Sequence, residues 1–422
     1  KNGSIVQIDS AAPVPETAPV FPDDTGTGPT PLPGAEQSTC RGCHALSLDG
    51  SKLAYAYNGN DVVPSGDAGA KGLLAISLAE DPIPELVPPQ PEYGAQSVVF
   101  DPTGTRIVVA NMFGMWLGRL DEALPQGFEK VTDIAHVDDM AGAFRPETPA
   151  WSPDGSTLVY ARRAIVDNVP QGAALVTTQW DLETEQFVEG AVMFLDVDAV
   201  EGRPWHDYPT WSPDSKWIVA RASGSDLGVG QTPQSALDFG FTLVNAETGE
   251  HRALSKGAPD GHVYGRPSFS PFTEGGYFWL AFYADRPYGK VKPEGVKQIW
   301  VMAIDADPSD GVDPSHPSFW LPGQSVDGIN LSAYWARPTC VVEADTCGED
   351  GECCVGLACT VDPDTGAGTC QPSECDLPGQ FCDLKEETCC PGYSCQVSLS
   401  GAASCQPMDE DAEGDEGDEG DE

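Results

Sequence analysis

The 422-residue chain predicts an all-β fold: a six-bladed β-propeller closed by its own N-terminal strand, then two small disulfide-rich modules and a disordered acidic tail. Three observations carry that prediction. A turn pattern recurs six times within residues 1–338. Its intervals suit a four-stranded antiparallel sheet with one long loop. Twelve of the 14 cysteines crowd between Cys340 and Cys405, the density of a disulfide scaffold.

The repeat is an aromatic or apolar residue, a Ser or Asp, a tight turn with Asp or Gly, and then a β-rich run. It reads Trp151-Ser152-Pro153-Asp154-Gly155 before Leu158-Val159-Tyr160, and Trp211-Ser212-Pro213-Asp214-Ser215 before Trp217-Ile218-Val219. A third copy is Phe100-Asp101-Pro102-Thr103-Gly104, and weaker ones begin at Leu46, Phe269 and Gln324. Taking these six positions as equivalent gives steps of 54, 51, 60, 58 and 55 residues. The turn chemistry explains the pattern, because Pro fixes φ, Asp accepts from neighbouring amides and Gly tolerates positive φ. Phe241 to Asn245 and Gln298 to Asp305 read as third strands. The sixth copy has only two strands, ending at Ser332-Ala333-Tyr334-Trp335, so Ser4 to Asp9 is expected to pair into the last blade and close the ring, hiding two sheet edges.

The Trp-Ser-Pro-Asp-Gly turns resemble those of the TolB-type six-bladed β-propeller over about residues 3–338. That resemblance implies the fold and says little about activity, since relatives of TolB mostly bind proteins or peptides while other propellers are enzymes. No Gly-x-Ser-x-Gly elbow marks a hydrolase. Paired carboxylates are abundant, but nothing singles out one pair, so no catalytic residue is assigned.

Cys40-Arg41-Gly42-Cys43-His44 carries the strongest functional indication. Two thiols and an imidazole at this spacing are what covalent c-type haem attachment requires. The resemblance to c-type cytochromes implies one covalent haem c, with Cys40 and Cys43 adding to the porphyrin vinyl groups and His44 as the proximal ligand. The haem-free alternative joins Cys40 to Cys43 in a disulfide. On the repeat, the motif falls in the loop just before the first inner strand, on the face where the channel opens. The same register puts His206 before the fourth inner strand, His262 before the fifth, and His136 and Met140 before the third. In a ring of six the fourth blade faces the first, which makes His206 the first choice of second axial ligand, with His262 next and Met140 or Met112 as His/Met alternatives. The histidines could instead hold zinc or copper, although no two stand at the spacing of a local metal motif. His251 and His316 receive no role.

The cysteines form two arrays in the same order. Cys340, Cys347, Cys353, Cys354, Cys359 and Cys370 are matched by Cys375, Cys382, Cys389, Cys390, Cys395 and Cys405. Fifteen connectivities are open to each six. A duplicated array with a central Cys-Cys pair resembles the inhibitor cystine knot, which implies Cys340 to Cys354, Cys347 to Cys359 and Cys353 to Cys370, with the same order from Cys375. The expected boundaries are 1–338 for the propeller, 339–372 and 373–406 for the modules, and 407–422 for the tail. The modules read as rigid spacers, and the tail of Gly-Asp-Glu units as solvated chain. The turn Asp305-Ala306-Asp307-Pro308-Ser309-Asp310-Gly311 has some features of a calcium loop, but its glycine is one place late and no closing Glu follows, so calcium is only a minor expectation.

Composition sets the surroundings. The cysteine density predicts an exported protein, extracellular, cell-surface or periplasmic, and the opening Lys1-Asn2-Gly3-Ser4 reads as processed. No window offers the ~20 apolar residues of a spanning helix. With 66 acidic against 22 basic side chains and a net charge of −44, the surface repels nucleic acid and anionic membrane and favours cations or basic partners. The expected partner is a redox protein or another surface protein.

Overall fold

The computed structural model describes residues 6–8, 17–19, 41–48, 50–57, 73–78, 85–86, 95, 97–111, 114–121, 124–131, 144–166, 169–195, 203, 205–224, 239–289, 296–308, 311–324, 329–335, 346–347, 357–361, 368–372, 393–397 and 403–407. Among them all regular structure is β, and the chain divides into two units, Lys1–Arg337 and Pro338–Glu422.

The first unit opens with a short antiparallel pair, β1 (Val6–Ile8) and β2 (Thr17–Pro19). Five antiparallel meanders of four strands follow. The first is β3 (Arg41–Leu46), β4 (Lys52–Tyr57), β5 (Leu73–Leu78) and β6 (Glu85–Leu86). The second is β7 (Ser97–Phe100), β8 (Arg106–Asn111), β9 (Gly114–Asp121) and β10 (Leu124–Lys130). The third is β11 (Phe144–Trp151), β12 (Thr157–Val166), β13 (Val169–Asp181) and β14 (Gln186–Leu195). The fourth is β15 (Trp205–Trp211), β16 (Trp217–Ser223), β17 (Phe239–Asn245) and β18 (His251–Ala253). The fifth is β19 (Tyr264–Glu274), β20 (Tyr277–Ala284), β21 (Gln298–Asp305) and β22 (Phe319–Trp320). The third and fourth sheets touch through one parallel pair, Ala173 with Trp205.

The first strand of each sheet lies beside the first strand of the next, β3 by β7, β7 by β11, β11 by β15 and β15 by β19. Sheets related in this way stack face on face, and the apolar side chains between them form four buried clusters. Val109 and Ile107 pack with Ala54 and Ile76, Leu158 and Tyr160 with Val108 and Leu117, Ile218 and Ala220 with Val159 and Leu175, and Phe278, Leu280 and Phe282 with Phe241 and Leu243. Each such Leu, Ile or Phe side chain contributes about 1.5–3 kcal/mol through removal from water.

The repeated turns do what their residues dictate. Ser152 Oγ accepts from Thr157 N at 2.9 Å and donates to Asp154 Oδ1 at 2.5 Å, while Gly155 takes φ 74°. Ser212 repeats this with Trp217 N at 2.9 Å and Asp214 at 2.5 Å, and Asp101 accepts from Arg106 N at 2.8 Å. The fifth copy departs from the expected turn. Its strand β19 runs through Ser270-Pro271 with a register shift after Phe269, and the turn moves to Gly275 (φ 63°) and Gly276 (φ 78°).

The sixth copy is displaced. Gln324 does not end an inner strand: the strand before it, β22, is the outer strand of the fifth sheet, pairing Trp320 with Trp300. The Gln324 carboxamide accepts from Ile299 N at 2.8 Å and donates to Ile299 O at 2.7 Å, closing the ladder beyond that strand. Ser332 to Trp335 belong to no strand in the described ladder. Of Ser4 to Asp9, Val6–Ile8 is a strand as expected, but its described partner is β2 rather than a strand of a sixth sheet.

In the second unit, β23 (Thr346–Cys347), β24 (Leu357–Val361) and β25 (Gly368–Pro372) form a sheet with β25 in the middle. A separate hairpin joins β26 (Tyr393–Val397) to β27 (Ala403–Pro407). Cys359 is the register partner of Cys370, and Cys395 of Cys405, so the fifth and sixth cysteines of each array stand opposite each other on neighbouring strands. The other cysteines of the arrays except Cys347, and the whole acidic tail from Met408 on, lie outside the described residues.

Candidate functional site

Four of the five inner strands break their ladder at the same place. The register with the second strand skips between Gly42 and Ala45, Glu147 and Ala150, Asp207 and Thr210, and Gly265 and Ser268. The skipped pairs are Cys43-His44, Thr148-Pro149, Tyr208-Pro209 and Arg266-Pro267. A bulge is where a sheet admits proline, which has no N–H to give to a ladder. Thr148, Tyr208 and Arg266 hold φ of 48°, 49° and 48°, a left-handed conformation that costs a non-glycine residue about 1–3 kcal/mol. The haem-type motif therefore does not sit in a loop before the first inner strand, as its sequence position suggests. Arg41–Leu46 is that strand, and Cys43-His44 occupies its bulge. Cys40 lies outside the described residues.

The bulges touch one another in succession. Tyr208 N donates to Thr148 Oγ1 at 3.1 Å, the Arg266 guanidinium lies 5.6 Å from the centre of the Tyr208 ring, and Arg266 Nη1 donates to Ser332 Oγ at 2.8 Å. Beside them, buried Arg221 binds both carboxylate oxygens of Asp207, with Nε to Oδ1 at 2.6 Å, and buried Arg163 holds Glu147 at 2.9 Å. Burial alone would lower the Arg221 pKa, but the Asp207 carboxylate reverses this and pushes it up.

His44 is half-buried, with its ring centroid 4.8 Å from that of Tyr334. Burial, and then the charge of Arg266, push its pKa down to about 4. The imidazole is thus neutral at pH 7, the form in which histidine binds a metal. By this test His44 fits an iron ligand, and the break in the ladder leaves Cys43 and His44 out of regular pairing.

The other expected ligands fall differently. His206 is not on a rim loop: it lies inside β15, 1 % exposed, with Nε2 3.4 Å from Thr242 Oγ1. Burial, followed by the charge of His251, pushes its pKa down to about 4. The cross-channel assignment loses its premise, because the inner strand begins six residues before Trp211 and takes His206 into the sheet. His262 does lie in the loop before β19, half-buried, with Nδ1 3.5 Å from Asp285 Oδ1. His136, Met140 and Met112 are outside the described residues. Asp305, at the start of the calcium-like turn, accepts from or pairs with His316 Nε2 at 2.8 Å, and no group of three His, Cys, Asp or Glu fit to hold a metal occurs among the described residues. Sequence reasoning missed the inner pairs Arg221–Asp207 and Arg163–Glu147. The register could have found them, since each carboxylate stands immediately before the x-Pro pair of the bulge.

No family model matches the chain, and no curated protein matches it. Among solved structures, the nidogen/laminin complex aligns at TM-score 0.41 and 9% identity, over 76% of this chain and 91% of that one. The Cps50 (Swd1) β-propeller domain of Myceliophteria thermophila aligns at TM-score 0.37 and 10% identity, over 78% and 82%. A protein from Lactobacillus plantarum aligns at TM-score 0.39 and 11% identity, over 96% and 91%. No helix among the described residues is long and apolar enough to cross a membrane.

Proposed function

We propose that the chain is an exported single-haem c-type cytochrome on a six-bladed TolB-type propeller, with electron transfer at the mouth where the inner-strand bulges meet. The observation that carries the reading is His44, a neutral imidazole four residues after Cys40 and next to Cys43, at the bulge of the first inner strand. Cys40 and Cys43 would hold the porphyrin through thioethers, and His44 would ligate the iron. A haem bound there supplies a one-electron couple. His44 keeps its neutral form through burial, and Arg266 adds a positive charge beside it that opposes protonation.

The sixth position of the ring is taken in this reading by Ser332 to Trp335. Trp335 Nε1 donates to Ser268 O at 3.0 Å, as Trp211 Nε1 does to Ala150 O at 3.1 Å one sheet to the next, and Tyr334 meets His44. Equating Trp335 with Trp211 aligns Ser332 with Tyr208 and Arg266, the residues of the bulges. His262, in place of His206, is the second residue that would hold the iron. Its Nδ1 faces Asp285, the carboxylate pairing that orients metal-bound imidazoles and leaves Nε2 for the metal. The two arrays of six cysteines are taken as cystine-knot modules, and the net charge of −44 favours a basic redox partner.

The haem-free reading, a surface propeller binding a protein or glycan, needs a Cys40–Cys43 disulfide. A haem-stained denaturing gel of protein made with the c-type maturation machinery decides between the two readings. Covalent haem stains and a disulfide does not.

A further inference from the structure

On one face of the third sheet Trp151 Nε1, Tyr160 Oη and Thr178 Oγ1 are buried without a protein partner, and the Arg162 side chain stands on the same face. Trp151, Tyr160 and Thr178 are 7 %, 1 % and 1 % exposed. They share a face by register. Trp151 pairs with Leu158, Leu158 with Thr178, and Tyr160 with Val176, and Trp151, Leu158, Tyr160 and Val176 all pack in the cluster between the second and third sheets.

Trp279 Nε1 and Trp300 Nε1 are also buried without a partner, but two comparisons set Trp151 apart from the tryptophans at its own place in the repeat. Trp211 and Trp335, at the same place in their repeats, donate across the seam to Ala150 O and Ser268 O of the preceding inner strand. The equivalent acceptor for Trp151 is the carbonyl of Val99, just before Phe100, and that bond is not made. Instead the indole packs edge-on against Trp180 at 5.5 Å and nearly parallel to Phe187 at 5.9 Å. Burying a hydroxyl or an N–H without a bond costs about 1–3 kcal/mol by protein mutational measures, and three on one face is a penalty that native cores relieve with internal water.

We propose that the seam between the second and third sheets holds a structural water site built by Trp151, Tyr160 and Thr178. The indole can only donate, while each hydroxyl donates or accepts, so together they supply three of the four hydrogen bonds that a water molecule can make, the usual number for a buried one. The ligand class is a small neutral hydrogen-bonding molecule, and water is the one that fits among aromatic walls without displacing them. The site is independent of the haem reading.

Two measurements on the full chain test it together. A high-resolution crystal structure should show a water oxygen within hydrogen-bond distance of Trp151 Nε1 and of at least one of the two hydroxyls. Tyr160→Phe and Thr178→Val, which keep the shape of the core, should each lower the melting temperature because they strip a partner from the bound water. A dry seam with the three groups unbonded overturns the proposal. So does a rise in melting temperature for either variant, the sign expected when an unsatisfied hydroxyl is deleted from an apolar core.

Discussion

His44 and His206 both carry pKa values pushed down to about 4 from an ordinary 6.5, so each binds a proton more readily unfolded than folded. Stability that is full above pH 6.5 is lost as the pH falls toward 4. For fully buried His206 the loss is about 3 kcal/mol. Urea midpoints between pH 7 and 4 should fall, and His206→Gln should flatten the slope. An unchanged slope in that variant would remove His206 from the account. The inner carboxylates give a second expectation at this scale. Asp207→Asn leaves the Arg221 guanidinium buried without its counter-charge and should cost about 3–5 kcal/mol in chemical unfolding. At the level of single residues the sequence was legible where side-chain chemistry is local, as in the Ser152-Asp154-Gly155 turn. It was not legible for His206, because a strand's first residue depends on pairing with β16, and no local signal in Trp205-His206-Asp207 announces that pairing.

The elements show which repeats a turn specifies and which it does not. Where Ser-Pro-Asp-Gly is intact, as at Ser152 to Gly155, side-chain bonds fix the turn and the predicted strands follow. The third strands Phe239–Asn245 and Gln298–Asp305 contain the runs read from alternation alone. The expected sixth copy at Gln324-Ser325-Val326-Asp327-Gly328 imitates the turn, but the strand before it is the outer strand of the fifth sheet. In the third, fourth and fifth sheets the bulge is marked by an x-Pro pair three and two residues before the aromatic, Thr148-Pro149, Tyr208-Pro209 and Arg266-Pro267, whereas Ser332-Ala333 before Trp335 carries no proline. If Trp335 is the sixth inner residue, Trp335→Phe should lose its bond to Ser268 and about 1 kcal/mol of stability. The same substitution at Trp211, bonded to Ala150, should cost a similar amount. A neutral Trp335→Phe beside a costly Trp211→Phe would contradict the equivalence.

Over the whole molecule, a net charge of −44 acts on every step. Self-repulsion among the acidic groups opposes compaction, so raising salt from low to physiological ionic strength should raise the melting temperature and slow reduction by a cationic partner. Differential scanning calorimetry reads the first effect, and stopped-flow mixing with hexaammineruthenium(II), a cationic one-electron reductant that becomes ruthenium(III) as the ferric haem of the proposed reading becomes ferrous, reads the second. The recurring turns and their spacing made the all-β class legible from the sequence. The described partner of the N-terminal strand is the nearby β2, a local pairing that was not legible because no turn motif marks it. The central claim is that Cys40, together with Cys43 and His44 at the bulge of the first inner strand, holds a covalent haem. Intact-mass measurement of protein from a host with c-type maturation, read beside its visible spectrum, tests it most directly. The account predicts the polypeptide mass plus one haem, with a Soret band that survives denaturation; the polypeptide mass less only its disulfide hydrogens, with no Soret band, would contradict it.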